Sequence, residues 1–324
     1  MTSTWSRHLP VSDEPVLVID IGGTNIKFGY SLAGRPLAFR KLFSTDALRA
    51  DDPVQALARM VEVVIAESGV RPQAIVAAVP GFIDTDDDHI LHAANIMSLN
   101  GRRLGTELGR LVGIPVLLER DAVLALTGEV LAGAAQDKDH VLGIFFGTGI
   151  GAAFMDDGKP FRGAGWALEI GLMPFCGQGQ VLEGTCPDRL ETYASGRALQ
   201  GIAERYRVAI DGIFRADNSN RRLVDELALF VRYQAFAVGV AAAIVSPATI
   251  VLGGGVLDMD GFPRDRLREL IVSHSPVAGA SRAIDLRWCQ HGWLAVLHGA
   301  PSVVAEHRNR HAQAFEEFKT GPAR

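Results

Sequence analysis

Three glycine clusters and one acidic residue at a strand end are where this sequence could do chemistry. The first cluster, Asp20-Ile21-Gly22-Gly23-Thr24-Asn25, closes the apolar run VLVIDI before alternation resumes in NIKFGY. That pattern predicts a strand, a tight glycine turn and a second strand. Phe146-Gly147-Thr148-Gly149-Ile150-Gly151, inside VLGIFFGTGIGAAFM, repeats it. Setting Gly23-Thr24 on Gly147-Thr148 brings Ile26 onto Ile150, so each half of the chain carries one glycine-tipped hairpin. Glycine lets backbone approach a ligand closely, and successive amides in such a turn form a concavity for anions. Two such tips could hold a chain of phosphates, although two ordinary hairpins of an α/β protein would look the same locally. The third cluster, Gly253-Gly254-Gly255 in ATIVLGGGVLD, favours the ligand.

Asp121 follows the apolar run IPVLLER and opens an Ala/Leu-rich helical stretch. An aspartate there serves as a helix N-cap. It can also be a base. The helix dipole favours its ionised form, ligands of open α/β sheets bind at the carboxyl ends of strands, and a carboxylate there can take a proton from a hydroxyl. Asn95, Glu169 and Glu191 lie in connections or at a helix start. Singly each reads as a solvated or capping residue; together they offer the acceptors a sugar requires.

These residues need a scaffold. Helical spacing marks 51–69, 104–112, 122–135, 191–206, 223–245 and 264–273, and a last helix runs from Trp293 to about Phe318. AIVAAVPGFID, IPVLLE, ATIVLGG and 283–288 read as strands, His89–Leu99 as loop, and 160–190 as a long connection without periodicity. Strands alternating with helices imply a largely parallel sheet with covered faces. The expected division is a smaller domain, 1–132, rejoined by the C-terminal helix at about 298–324, and a larger one, 133–297. Residues before Val16 read as a loose leader.

Composition narrows the function. With 324 residues the chain can bury about three quarters of its unfolded surface. A net charge of −5 without a Lys/Arg-dense run gives no support to a nucleic-acid partner. The three cysteines form no CxxC pair, and the first fifteen residues hold no signal-peptide core. The longest apolar stretch, Ala235–Val245, ends at Ser246-Pro247 and is too short for a membrane span. A cytoplasmic protein without membrane or nucleic-acid partners is expected. GxxxxGK[ST] is absent, and the glycines at 147–151 lack the acidic residue of a dinucleotide site.

IDIGGTN, LERDAVLALTGE, FFGTGIGAAF, GWALEIGLMP, LETYASGRAL and IVLGGGVL, in this order and spacing, resemble the ROK family of repressors, open reading frames and sugar kinases. The resemblance runs from about Val16 to Gly299. It implies a duplicated ribonuclease-H-like fold of the actin/hexokinase ATPase type, with two α/β domains and an interdomain cleft. It further implies that Val18–Asn25 and Gly147–Phe154 are phosphate loops and that Gly254 and Gly255 lie by the adenosine. Asp121 would be the base; Gly81, Asn95, Arg120, Glu169 and Glu191 would line the sugar pocket. ATP and Mg²⁺, with Asp20 the nearest protein carboxylate, a free sugar as substrate and a homodimer complete the expectation.

Two details resemble the D-allose kinases of the family: Arg120 before Asp121, where most members have Asn, and GGGVLDMDGFPRDRL. An N-acetylhexosamine or glucose kinase, or an inactive sugar-binding regulator, are the alternatives. Only about fifteen residues precede the first strand, so the DNA-binding module of the family's repressors is not expected. The family's EIGH histidine is Leu172 here, and its three zinc cysteines fall on Leu182, Gly184 and Arg189, with Cys176 and Cys186 out of register. Structural zinc needs about four N or S ligands, so it is expected to be absent.

Overall fold

The computed structural model describes residues 11–50, 52–93, 96–136, 138–177, 188–215, 219–275, 277–278 and 283–320. Most of the expected leader, Asn95 and the segment holding Leu182, Gly184 and Cys186 lie outside the described residues. Two compact units divide the chain. One takes Met1–Asp137, Arg162–Trp166 and Trp293–Arg324; the other takes Lys138–Phe161 and Ala167–Gly292. The short piece Arg162–Trp166, expected in the second domain, counts with the first, where Arg162 is ion-paired to buried Glu119.

In the first unit β1 (Val16–Ile21) and β2 (Asn25–Leu32) form the predicted hairpin, and β3 (Arg35–Ser44) pairs along β2. A short α1 (Ala47–Ala50) precedes α2 (Pro53–Ser68). Asp52 starts α2, accepting the amides of Val54 and Gln55 at 2.9 and 3.0 Å, with Pro53 in the first turn. Gly69, at φ 66°, stops it. β4 (Ala74–Val79) is buried at every position. The stretch expected as loop instead holds β6 (His89–His92), paired with β5 (Phe82–Asp84), and a 3₁₀ turn at Met97–Leu99. Four residues with a single buried side chain, Ile90, carry no readable period. α3 (Leu104–Val112), β7 (Val116–Arg120) and α4 (Asp121–Ala132) follow.

The sheet order is β3-β2-β1-β4-β7, with β4 and β7 parallel to β1. It is mixed rather than largely parallel, because the glycine turn folds β2 straight back on β1. Pleating splits the side chains of β1 between two apolar layers, Leu17, Ile19 and Ile21 on one face and Val16 and Val18 on the other.

The second unit repeats the plan. β8 (Val141–Phe146), β9 (Ile150–Asp156) and β10 (Lys159–Pro160) are antiparallel. α5 (Glu191–Ala194) and α6 (Gly196–Tyr206) stand where one helix was predicted. Ser195, extended at φ −97° and ψ 170°, breaks them apart, and its hydroxyl accepts the Ala198 amide as the cap of α6. α7 (Arg221–Val245) is long and apolar enough to cross a membrane by length and composition. It nevertheless puts Phe230, Val231, Ala235, Val238 and Ala241 into this unit's core. β11 (Thr249–Gly253), α8 (Arg264–His274) and β12 (Asp285–Trp288) complete the sheet order β10-β9-β8-β11-β12, with β11 parallel to β8 and β12. The five-strand succession matches that of the first unit. The last helix, α9 (Leu294–Thr320), belongs to the first unit, where Val296, Leu297, Ala300 and Val303 cover the second face of its sheet together with Leu124 of α4.

Candidate functional site

The candidate residues assemble as two groups, one on each unit. On the first, strand register sets the arrangement. Asp20 of β1 pairs with Ala78 of β4, and Val79 of β4 pairs with Arg120 of β7. Three neighbouring parallel strands therefore end together, carrying the Gly22–Asn25 turn, the Pro80-Gly81 turn and Asp121. Carboxyl ends of adjacent strands are where open α/β sheets bind ligands.

β7 passes into α4 without a loop. Arg120, extended at φ −68° and ψ 139°, takes the cap position, so Asp121 is the first helical residue rather than the cap. Its Oδ1 accepts the Ala122 amide at 2.7 Å. Burial, and then the nearby Asp20 carboxylate, push the Asp121 pKa up to about 6. That value leaves it mainly ionised at neutral pH yet a stronger base than an ordinary aspartate, the condition general-base catalysis favours. Asp20 is itself raised by burial, against the pull of Lys27, whose Nζ reaches its Oδ2 at 3.4 Å from the directly opposed position of the hairpin. The Lys27 ammonium also lies 5.7 Å from the Trp293 ring centroid, with the Arg40 guanidinium 5.4 Å from the same ring. Cation–π contact holds both charges on the Trp293 ring.

The turn itself is secured from behind. Gly22 donates its amide to Asn25 O at 3.0 Å. The carbonyls of Gly22, Gly23 and Thr24 accept from Thr45 Oγ1, Arg49 Nη2 and the Thr45 amide at 2.7, 2.8 and 3.0 Å. With its carbonyls engaged by protein donors, the turn meets an anion through amides. Thr24 and Asn25 are exposed.

Under Asp121 lies a buried charge pair that sequence reasoning missed. Glu119 is only 1% exposed, and its Oε1 accepts the Arg120 amide at 3.0 Å. Its Oε2 accepts from Arg162 Nε and Nη2 at 2.9 and 2.6 Å, and Arg162 also meets Glu306 of α9 at 3.1 Å. Such doubly donated pairs fix orientation as well as charge. A glutamate directly after the apolar run Val116–Leu118 was the one available signal; its partner, 43 positions away, left none.

On the second unit the Gly147–Gly149 tip is tighter, closed by the Gly147 amide on Gly149 O at 3.0 Å. The break between α5 and α6 serves it: the amides of Gly196 and Arg197 donate to Gly147 O and Thr148 O at 2.7 and 3.2 Å. Gly254, at φ 100°, presses on the same tip, where a β-carbon would stand 2.4–2.6 Å from the Phe146 backbone. Only glycine fits there. Gly255 faces open space. The Glu191 carboxylate comes to the tip as well, its Oε2 2.8 Å from where a Gly149 β-carbon would be and 3.4 Å from that of Gly171. Glu169 caps the 3₁₀ turn Ile170–Leu172, and the Leu190 amide donates to Met173 O at 3.0 Å, so the segments bearing Glu169 and Glu191 run side by side. Leu172 occupies that turn, and Gly151 lies in β9. Among the described residues, His140, Asp156 and Asp157 form the cluster with metal-ligand spacing; all three are exposed.

Residues 16–306 match the profile of the ROK family. The chain is 33% identical over 268 residues to the bifunctional enzyme NanE/NanK of Brucella melitensis, covering 81% of this chain and 49% of that protein. It thus spans about half the length of that relative. It is 28% identical over 256 residues to N-acetyl-D-glucosamine kinase of Vibrio parahaemolyticus, covering 74% of this chain and 84% of that one. A ROK family glucokinase from Streptomyces griseus, solved with glucose and AMPPNP, superposes with a TM-score of 0.74 at 26% identity, over 89% of this chain and 98% of that one.

Proposed function

Because the chain belongs to the ROK family, with its actin/hexokinase-like ATPase fold, we propose that it is an ATP-dependent kinase of the 6-hydroxyl of a hexose. The observation that carries this is Asp121, a carboxylate raised to about 6 at the shared end of three strands, beside a glycine turn. In the proposed reaction the sugar oxygen bonds to the γ-phosphorus, the bond from that phosphorus to the bridging oxygen of ADP breaks, and the hydroxyl proton passes to Asp121. Little covalent chemistry falls to the protein in such transfers, so positioning and charge stabilisation supply the rate.

The Gly22–Asn25 and Gly147–Gly151 turns bind phosphates through their amides, and Gly254 and Gly255 bind next to the adenosine. Glu169, Glu191, Gly81, Asn95 and Arg120 are the proposed sugar-binding residues, the two glutamates accepting sugar hydroxyls. Mg²⁺ needs few protein ligands and keeps its waters; Asp20, whose half-buried carboxylate is 3.4 Å from Lys27 Nζ, suits it. Bound there, it would offset phosphate charge.

The names of the relatives favour an N-acetylhexosamine as acceptor, with glucose close to it. Arg120 and the stretch after Gly255 favour D-allose as the second reading. A coupled ADP-release assay across glucose, mannose, D-allose, N-acetylglucosamine and N-acetylmannosamine ranks them by kcat/KM. Highest efficiency on D-allose selects the second reading. No turnover on any of them, together with no ATP binding, replaces the kinase by a sugar-binding regulator, the outcome Leu172 would explain. Light scattering tests the homodimer.

A further inference from the structure

We infer that Trp166, backed by Phe82, is the wall that receives the acyl group of an N-acetylhexosamine; this rests on the kinase function proposed above. Trp166 is 58% exposed. It is not an isolated surface aromatic. Its ring lies 6.5 Å from that of Phe82, which lies 5.6 Å from that of His92.

This exposed indole is rigidly mounted. Gly165, at φ 90°, sits so close to β5 that a β-carbon there would stand 2.1 Å from Ile83 O, and the Ile83 amide donates to Gly165 O at 3.3 Å. Three residues earlier Arg162 is clamped between Glu119 and Glu306 at 2.6 and 3.1 Å. A large apolar surface held in place by a buried ion pair is preorganised for a ligand, since little ordering remains to be done on binding.

Its position specifies the ligand. Phe82 follows Gly81, and the pairing of Val79 with Arg120 puts the Gly81 turn next to Asp121. A hexose that offers its 6-hydroxyl to Asp121 has C5 at that end, and C2 lies directly across the pyranose ring from C5. The inferred wall, set off from the base by the Gly81 turn, meets what C2 carries. The ring cluster brings no carboxylate or ammonium, so it suits a methyl group rather than a hydroxyl. An N-acetyl group has that methyl; glucose and D-allose do not.

Steady-state kinetics of wild type, Trp166→Ala and Trp166→Phe on N-acetylglucosamine, N-acetylmannosamine and glucose provide the test. In Trp166→Ala the ratio of kcat/KM for the preferred N-acetyl sugar to that for glucose is expected to fall about tenfold, chiefly through KM, the discrimination available from one methyl-sized apolar contact. Trp166→Phe should retain most of the preference. An unchanged ratio in Trp166→Ala overturns the inference and leaves the kinase standing. Titrating N-acetylhexosamine without ATP should change tryptophan emission in wild type, and Trp166→Phe should diminish that change; a change that survives undiminished also overturns it. Should wild type neither bind nor phosphorylate any hexose, both the inference and the function beneath it fall.

Discussion

Replacing Asp121 by asparagine should stabilise the fold while disabling the site, and only at neutral and alkaline pH. The folded chain raises this carboxyl from 3.8 to about 6, through burial and the charge of Asp20. The native state thus binds the proton more tightly than the unfolded chain. The contribution of Asp121 to stability is present below pH 4 and is lost as pH rises through 6. About two pKa units correspond to roughly 3 kcal/mol at full ionisation. The carboxyl is only partly shielded from solvent, so an expected gain of about 1–2 kcal/mol for Asp121→Asn above pH 7 allows for solvent screening. Its side-chain oxygen can still accept the Ala122 amide. In a unit of this size the gain moves the unfolding midpoint by about 2–4 °C per kcal/mol. Thermal or urea unfolding at pH 4.5 and pH 8 should show near-equal stabilities at the lower pH and a more stable variant at the higher. A variant no more stable than wild type at pH 8 refutes the argument from the raised carboxyl pKa.

Arg162→Met should cost about 3–5 kcal/mol, because it strands the charge of buried Glu119; the double change with Glu119→Gln should recover much of that, as urea unfolding of both will show. Gly254→Ala places a methyl inside the contact distance of the Phe146 backbone at a φ of 100°. It should weaken ATP binding at least tenfold or lower the stability of the second unit by about 2 kcal/mol, measurable by titration calorimetry and melting.

Backbone architecture was readable wherever local chemistry set it. Glycine turns between alternating runs marked both hairpins, and VLVIDI and ATIVLGG, short apolar runs closed by glycine, read as buried strands. β6 was not readable, because a four-residue strand with one buried side chain has no period. The interruption at Ser195 was hidden inside a sound helical pattern; its cause, the docking of the Gly196 and Arg197 amides on the Gly147–Thr148 tip, is a contact almost fifty residues away in the chain. Among the candidate residues, Asp20 came with the family resemblance, and Asp121 and Glu191 stood out as acids at helix starts. What tunes and mounts them did not. Lys27 reads as an ordinary strand lysine, and the Glu119–Arg162–Glu306 cluster draws on three distant segments whose meeting only the fold discloses.

The central claim is that Asp121 accepts the proton of a sugar hydroxyl, and the pH dependence of ADP release tests it most directly. With the best hexose, wild-type kcat/KM should rise with pH and level off above about 6, where the Asp121 carboxylate is ionised, and Asp121→Asn should lose at least a hundredfold in kcat while sugar affinity is kept. Turnover within a few-fold of wild type in Asp121→Asn, with the same pH profile, would contradict the account.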